Sequence, residues 1–296
     1  MGRPSGAPTI GSDVMARCHR SYVEAFWQWT KACPGATRKT LDDPARATLF
    51  RTSIPSSTAN VVFLSPAGAT IDPLLAEAQQ LYGRRSPWRM ICFGEGAEEV
   101  DRRAPTYRLR RAVSEPGMLL DPLRPAPAPT PGLSVRTVSN VAELHDFGDV
   151  WCASFRVPRW IFPLVMPSVL TDDPEFGAQG RLFVGYDGKR PVACSSVVVT
   201  ERVANVVSVG TVPESRGRGY GASITWRAVQ DGHDLGADVA YLAASRMGYP
   251  VYEKMGFRRA AEYPTWDTPA GLRQLLPFAR IWWTARRRRK VQPARS

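Results

Sequence analysis

Apolar and polar positions change period along the chain, and each change predicts an element. Leu133, Val135 and Thr137 alternate with their neighbours, which predicts a strand over Leu133–Ser139. The spacing then widens to Val141, Leu144, Phe147, Val150 and Trp151, one face of a helix over Val141–Phe155, with Asn140 placed to cap it. Pro158–Leu170 reads as a second apolar helical segment. Strands are predicted at Arg181–Tyr186 and Val192–Thr200, joined by the hairpin signal Asp187-Gly188, and Val203–Val212 completes an antiparallel meander. A helix over Ala222–Leu235, a strand over Val239–Ala243, a helix over Tyr249–Met255 and a strand over Phe257–Tyr263 follow. The N-terminal part is less legible. Ser21–Lys31 and Pro73–Tyr82 read as helices, and Asn60–Leu64 and Met90–Phe93 as short strands.

Between Pro122 and Pro131 prolines nearly alternate, the composition of an extended spacer. The expected organisation is an N-terminal α/β domain over residues 1–123, a linker over 124–132, a second domain over 133–268, and an apolar segment with a basic tail over 269–296. The fold class is α+β (mixed α/β), a central mixed sheet flanked by helices in a two-domain chain.

The most informative motif is Arg216-Gly217-Arg218-Gly219-Tyr220-Gly221, between a predicted strand and a predicted helix. Glycines at every second position let the backbone turn tightly and approach a ligand closely. The next helix would aim its free N–H groups and positive dipole end at that turn, a cradle for phosphate. The spacing does not fit the dinucleotide fingerprint G-x-G-x-x-G, and the Gly-Lys-Ser/Thr ending of a P-loop is missing. The pattern that remains is Arg/Gln-x-x-Gly-x-Gly/Ala, filled by Arg216, Gly219 and Gly221.

Val209–Gly221 thereby resembles the acyl-CoA-binding segment of the GNAT superfamily of N-acyltransferases. Tyr241–Ser245 followed by Val251-Tyr252-Glu253-Lys254-Met255-Gly256-Phe257 resembles the late strand and helix of the same family, in order and at the right distance. The resemblance covers roughly Leu133–Trp266. It implies an acyl-CoA-dependent N-acyltransferase, with acetyl-CoA as donor, a primary amine as acceptor, direct attack in a ternary complex and no metal. Main-chain groups of Arg216, Gly217, Arg218, Gly219, Gly221 and Ala222 would hold the pyrophosphate. Val209, Gly210 and Thr211 would lie on a splayed strand along the pantetheine arm, with Gly210 allowing close approach. Ser245 would sit near the pantetheine, with capping of the following helix as its other reading. Tyr252 would be the general acid, and it could also be a packing tyrosine. The N-terminal part loosely echoes the second domain, as a degenerate GNAT copy would. It has no Arg/Gln-x-x-Gly-x-Gly/Ala motif before residue 130, and an unrelated α/β domain is the alternative.

The general base is not evident. The strand before the loop offers Asn205 and Ser208 but no carboxylate; Glu201 stands at its entry, Glu214 in the loop, and Asp172, Asp173 and Glu175 where the family builds its acceptor site. Trp160–Met166 could line that site or pack against the first domain. A small-molecule amine is the expected acceptor, with a protein N-terminus or lysine left open. Two other function classes remain: a non-catalytic acyl-CoA-binding regulator, and an interaction protein targeted by its tail.

Net charge is +12, but Arg286–Lys290 and Arg295 carry half of it. The rest is mildly basic, which gives no specific case for nucleic acid. The apolar run Leu272–Trp283 ahead of the arginines is expected to dock on the protein rather than on a membrane. Five scattered cysteines without paired spacing, and the lack of a leader-like apolar region in Met1–Asp13, point to a reduced, cytoplasmic protein.

Overall fold

Two mixed sheets, each built around one parallel strand pair, organise the chain. The computed structural model describes residues 11–41, 46–65, 71–83, 86–94, 96–165 and 173–269. The predicted tail, Asp172 and the end of the Pro158–Leu170 segment lie outside them. Among the described residues, no helix is long and apolar enough to cross a membrane.

The N-terminal elements are α1 (Ser12–Thr30), β1 (Thr37–Leu41), β2 (Arg46–Arg51), β3 (Val61–Ser65), α2 (Asp72–Tyr82), β4 (Arg89–Cys92), α3 (Ala97–Arg103), β5 (Arg110–Arg111) and β6 (Glu115–Leu120). After the linker come β7 (Leu133–Thr137), α4 (Val141–Phe155), α5 (Phe162–Val165), α6 (Pro174–Gln179), β8 (Gly180–Asp187), β9 (Arg190–Thr200) and β10 (Val203–Thr211). They are followed by α7 (Tyr220–Asp234), β11 (Val239–Ala243), α8 (Tyr249–Lys254), β12 (Arg258–Tyr263) and β13 (Thr265–Asp267). Asn140 caps α4 as its position predicts, its Oδ1 accepting the Glu143 N–H at 3.0 Å, while the Glu143 carboxylate accepts the Ser139 N–H.

The first sheet runs β1-β2-β3-β4-β13-β5 and the second β7-β8-β9-β10-β11-β6-β12. In each, one parallel pair, β3·β4 or β10·β11, sits among antiparallel neighbours. Beyond each parallel pair lies a strand from the other side of the linker. β6 pairs antiparallel with β11 and β12, and β13 pairs antiparallel with β4 and β5. The two sheets thus follow a similar order, the first with one strand fewer, and exchange one strand each. The linker marks where the chain crosses over; it does not separate the sheets, because Glu115–Leu120 belongs to the second and Thr265–Asp267 to the first.

Helix α1 ties the two together. Its Tyr22 and Phe26 pack with Phe63 and Phe93 of the first half, and Ala25 and Trp29 join the core of the second. Polar contacts fix its rotation. Ser21 Oγ accepts from Thr200 Oγ1 at 3.0 Å and from Asn205 Nδ2 at 3.2 Å, and Arg17 meets Asp238 at 2.5 Å. The five cysteines are all buried and none forms a disulfide.

Candidate functional site

After β10 the chain makes a short turn over Pro213–Ser215 and enters the glycine segment. Gly217 and Gly219 have φ of +78° and +81°, a region that costs glycine little and other residues more. Gly219 is the N-cap of α7 and offers no side-chain cap. The N–H groups from Gly217 to Ala222 meet no acceptor among the described residues, and the first bonded one, Ser223 N–H, reaches Gly219 O at 3.1 Å. A row of uncommitted donors at the positive end of a helix suits an anion.

The side chains around this loop hold it in place. Arg216 turns inward, donating from Nε to Thr211 O at 3.1 Å and from Nη2 to Ser154 O at 3.2 Å. Its guanidinium therefore braces the loop against β10 and α4, and its own N–H is taken by Pro213 O at 3.4 Å, so the open donors begin at Gly217 rather than at Arg216 as the motif suggests. Replacing it with Met should cost about 1–3 kcal/mol of unfolding free energy, by loss of two charge-assisted hydrogen bonds, measurable by urea denaturation. Arg218 and the Tyr220 hydroxyl both reach Asp187 of the β8–β9 hairpin, at 3.3 and 3.0 Å. Thr130, at the end of the linker, is pinned to the first turn of α7, its N–H donating to Ser223 Oγ at 3.1 Å.

Below the loop, β10 and β11 part. They pair only from Val203↔Val239 to Asn205↔Tyr241, so Val206–Thr211 leaves one edge of its backbone unclaimed by β11. On its other side β10 stays with β9 through an irregularity between Val207 and Gly210, where Ser208 adopts φ +57°. The Ser196 hydroxyl and the Cys194 thiol donate to Val207 O and Ser208 O, at 3.1 and 3.3 Å, satisfying carbonyls that the irregularity frees. The space at Gly210 is occupied from within the protein. A Cβ there would stand 2.7 Å from Ser154 Cβ, so the missing side chain admits helix α4. In the first sheet the corresponding pair β3·β4 stays closed from Val61↔Arg89 to Leu64↔Cys92, with Phe93 N–H continuing onto Leu64 O at 2.7 Å.

Tyr252 lies on α8, buried beside Phe257, and its hydroxyl has no partner among the described residues. Burial and then the charge of Glu115 push its pKa above the usual tyrosine range, so the hydroxyl stays protonated at neutral pH. Ser245 Oγ accepts the Gly248 N–H at 3.2 Å and closes the turn into α8.

This geometry has relatives. Residues 199–260 match a family model described as "Acetyltransferase (GNAT) domain". Over this segment the chain is similar to the GNAT superfamily. Solved structures of low sequence identity share the fold across nearly the whole chain. A GCN5-related N-acetyltransferase from Kribbella flavida is 16% identical with a TM-score of 0.62, covering 90% of this chain and 98% of its own. One from Sphaerobacter thermophilus is 18% identical with a TM-score of 0.54, covering 88% and 92%. A "Tandem GNAT protein from the clavulanic acid biosynthesis pathway" is 11% identical with a TM-score of 0.54, covering 86% and 97%. No curated protein matches the chain.

In the second half of the chain, the described acids considered as bases are engaged elsewhere. Lys31 of α1 meets Asp173 at 2.8 Å and Glu175 at 2.9 Å and holds both below the usual carboxylate range. Asp173 also caps α6. Glu201 pairs with Arg20 at 2.9 Å, and Glu214 pairs with Arg190. Phe162 packs into the space above Gly148 of α4 and against Trp151, so this residue of the Trp160–Met166 segment contributes to the core. The acid that sequence reasoning missed is Glu115. It stands at the start of β6, before the linker, and only the strand exchange brings it beside β11; no spacing in the sequence signals that.

Proposed function

We propose that the protein is an acyl-CoA-dependent N-acyltransferase that moves an acetyl group from acetyl-CoA to a primary amine by direct attack in a ternary complex. One observation carries the reading: uncommitted N–H donors line the left-handed glycine loop at the start of α7, directly above the place where β10 leaves β11. The loop donors suit a pyrophosphate, and the open edge of Val206–Thr211, including Val209, Gly210 and Thr211, suits an extended amide-bearing arm. The donor would supply an acyl thioester. The chain's own part is to hold that arm, keep water from it, and provide a proton at the Tyr252 hydroxyl for the departing sulfur. The closed β3·β4 pair of the first half leaves no comparable opening, which supports a degenerate, non-catalytic copy of the same domain there.

Calorimetry with acetyl-CoA tests the binding step, and thiol release with amines tests transfer. Tyr252→Phe should leave acetyl-CoA affinity within about twofold and lower kcat about 10²-fold, the usual worth of a general acid. The hydroxyl has no protein partner to lose, so stability should hold. An unaltered kcat in a chemistry-limited reaction would reduce Tyr252 to packing. Acetyl-CoA binding without thiol release from any amine would favour a non-catalytic acyl-CoA-binding regulator.

A further inference from the structure

The seam where the two exchanged strands meet encloses a cavity of about 400 Å³, within the usual range for small-ligand sites. It is lined by Tyr22 of α1, Arg89 of β4, Glu115 of β6, Ala243 of β11, Tyr263 of β12 and Asp267 of β13, so both halves build it. Most of its polar groups are already engaged. Arg89 grips Asp267 through two bonds of 2.8 Å, and the Tyr263 hydroxyl bonds that of Tyr241. Two are not. Neither the Glu115 carboxylate nor the Tyr22 hydroxyl has a hydrogen-bond or ion-pair partner among the described residues. The rings of Tyr22 and Tyr263 stack at 5.8 Å and give the cavity an aromatic wall.

The cavity also adjoins the parted strands. Ala243 lies beyond the last β10–β11 pair, Asn205↔Tyr241. It faces Gly117 across β6, and Ala244 N–H reaches Pro116 O at 2.9 Å, so the register sets Glu115 beside Ser245. On the other edge Glu115 faces Tyr263. One uncommitted carboxylate and aromatic rings at the open end of the strands together form a receptor for an ammonium on an apolar body.

We propose that this seam cavity is the acceptor pocket, and that Glu115 receives the ammonium of a small primary amine and takes its proton. The proposal rests on the acyl-CoA reading above. The carboxylate removes one proton from the ammonium. The freed lone pair attacks the thioester carbonyl, the C–N bond forms and the C–S bond breaks. The sulfur leaves with the electron pair and takes the Tyr252 proton. The new amide nitrogen sheds its second proton, which restores the tyrosine through solvent. One proton is released per turnover.

The test uses the full chain with n-butylamine, benzylamine and phenethylamine as acceptors. Calorimetry with acetyl-CoA comes first; a chain that does not bind it fails the acyl-CoA reading, and this proposal with it. Given binding, Glu115→Gln should keep acetyl-CoA affinity and melting temperature, raise KM for the amine and lower kcat/KM about 10²-fold. Glu115→Asp should recover part of the loss. Saturation-transfer NMR should show benzylamine bound to the wild type in the presence of CoA and not to Glu115→Gln. Wild-type kcat/KM or benzylamine binding in Glu115→Gln overturns the proposal. So does a wild-type protein that binds acetyl-CoA but transfers to none of these amines.

Discussion

Gly221→Glu is expected to weaken acetyl-CoA binding by about 10²-fold or more, roughly 2.7 kcal/mol, while leaving the fold as stable as before or slightly more so. The two effects separate because of where Gly221 stands. It occupies the first turn of α7, where a Cβ would meet only Thr211 Oγ1 at an ordinary 3.4 Å. Glutamate is a better helix former than glycine by about 0.5–1 kcal/mol, and its charge suits a helix N-terminus. The same charge, among N–H groups left open for a phosphate, repels the ligand and competes for its donors. Gly219→Asp should also lose binding, but that position has φ +81° and a Cβ only 3.0 Å from Thr130 Oγ1, so strain would mix with charge. Calorimetry and a thermal melt on Gly221→Glu decide the matter. Wild-type affinity in a folded variant would remove the glycine loop from the binding site.

The second half was readable because its local signals agree with its tertiary structure. Asn140 caps the helix it precedes, and Asp187-Gly188 turns between β8 and β9, with Gly188 at φ +60°. The glycine loop lies between the strand and helix that its sequence predicts. In the first half the misses have separate causes. β1 is a polar edge strand, Thr-Arg-Lys-Thr-Leu, with four of its five residues exposed, so it shows no alternation. α1 begins nine residues before its prediction, because its first turns join a core of residues far along the chain: Cys18 is buried in it, Val14 and Met15 pack against it, and His19 stacks on Phe93.

β6 is the instructive miss. It opens Glu-Pro-Gly, which reads as a turn. The structure needs each of these small departures from strand composition. Pro116 can sit in the sheet and still accept the Ala244 N–H through its carbonyl. Gly117 must lack a side chain, since a Cβ there would fall 1.8 Å from the Tyr241 hydroxyl. β13, with three residues, is too short for periodicity to register. The site divides in the same way. The proposed donor side lies in contiguous motifs and was visible; the proposed acceptor pocket lies between sequence-distant strands and was not. Arg216 and Gly210 were visible as positions but not in what they do, because bracing a loop and admitting a helix depend on neighbours no motif records.

The strand exchange sets the second large expectation: residues 132–296 alone should fail to fold. That fragment lacks β6, whose Met118, Leu119 and Leu120 are all but fully buried between β11 and β12. Burying three such side chains is worth about 1.5–3 kcal/mol each, a sum comparable with the whole stability of a typical domain, about 5–15 kcal/mol. Two strand edges would open at once, and Tyr241, Tyr263 and Phe257 would lose cover, a recipe for edge pairing and aggregation. The loss of α1 would also leave Asn205, Asp173 and Glu175 without their partners Ser21 and Lys31. Restarting the chain at residue 113 restores β6 but not α1, and should recover part of the soluble yield. Supplying residues 1–131 in trans should recover cooperative melting, because each piece then regains its exchanged strand. Expression, circular dichroism and a thermal melt of the three preparations give the order. A fragment 132–296 that melts cooperatively and binds acetyl-CoA like the full chain would show that the exchange is dispensable and that the linker does separate independent folding units.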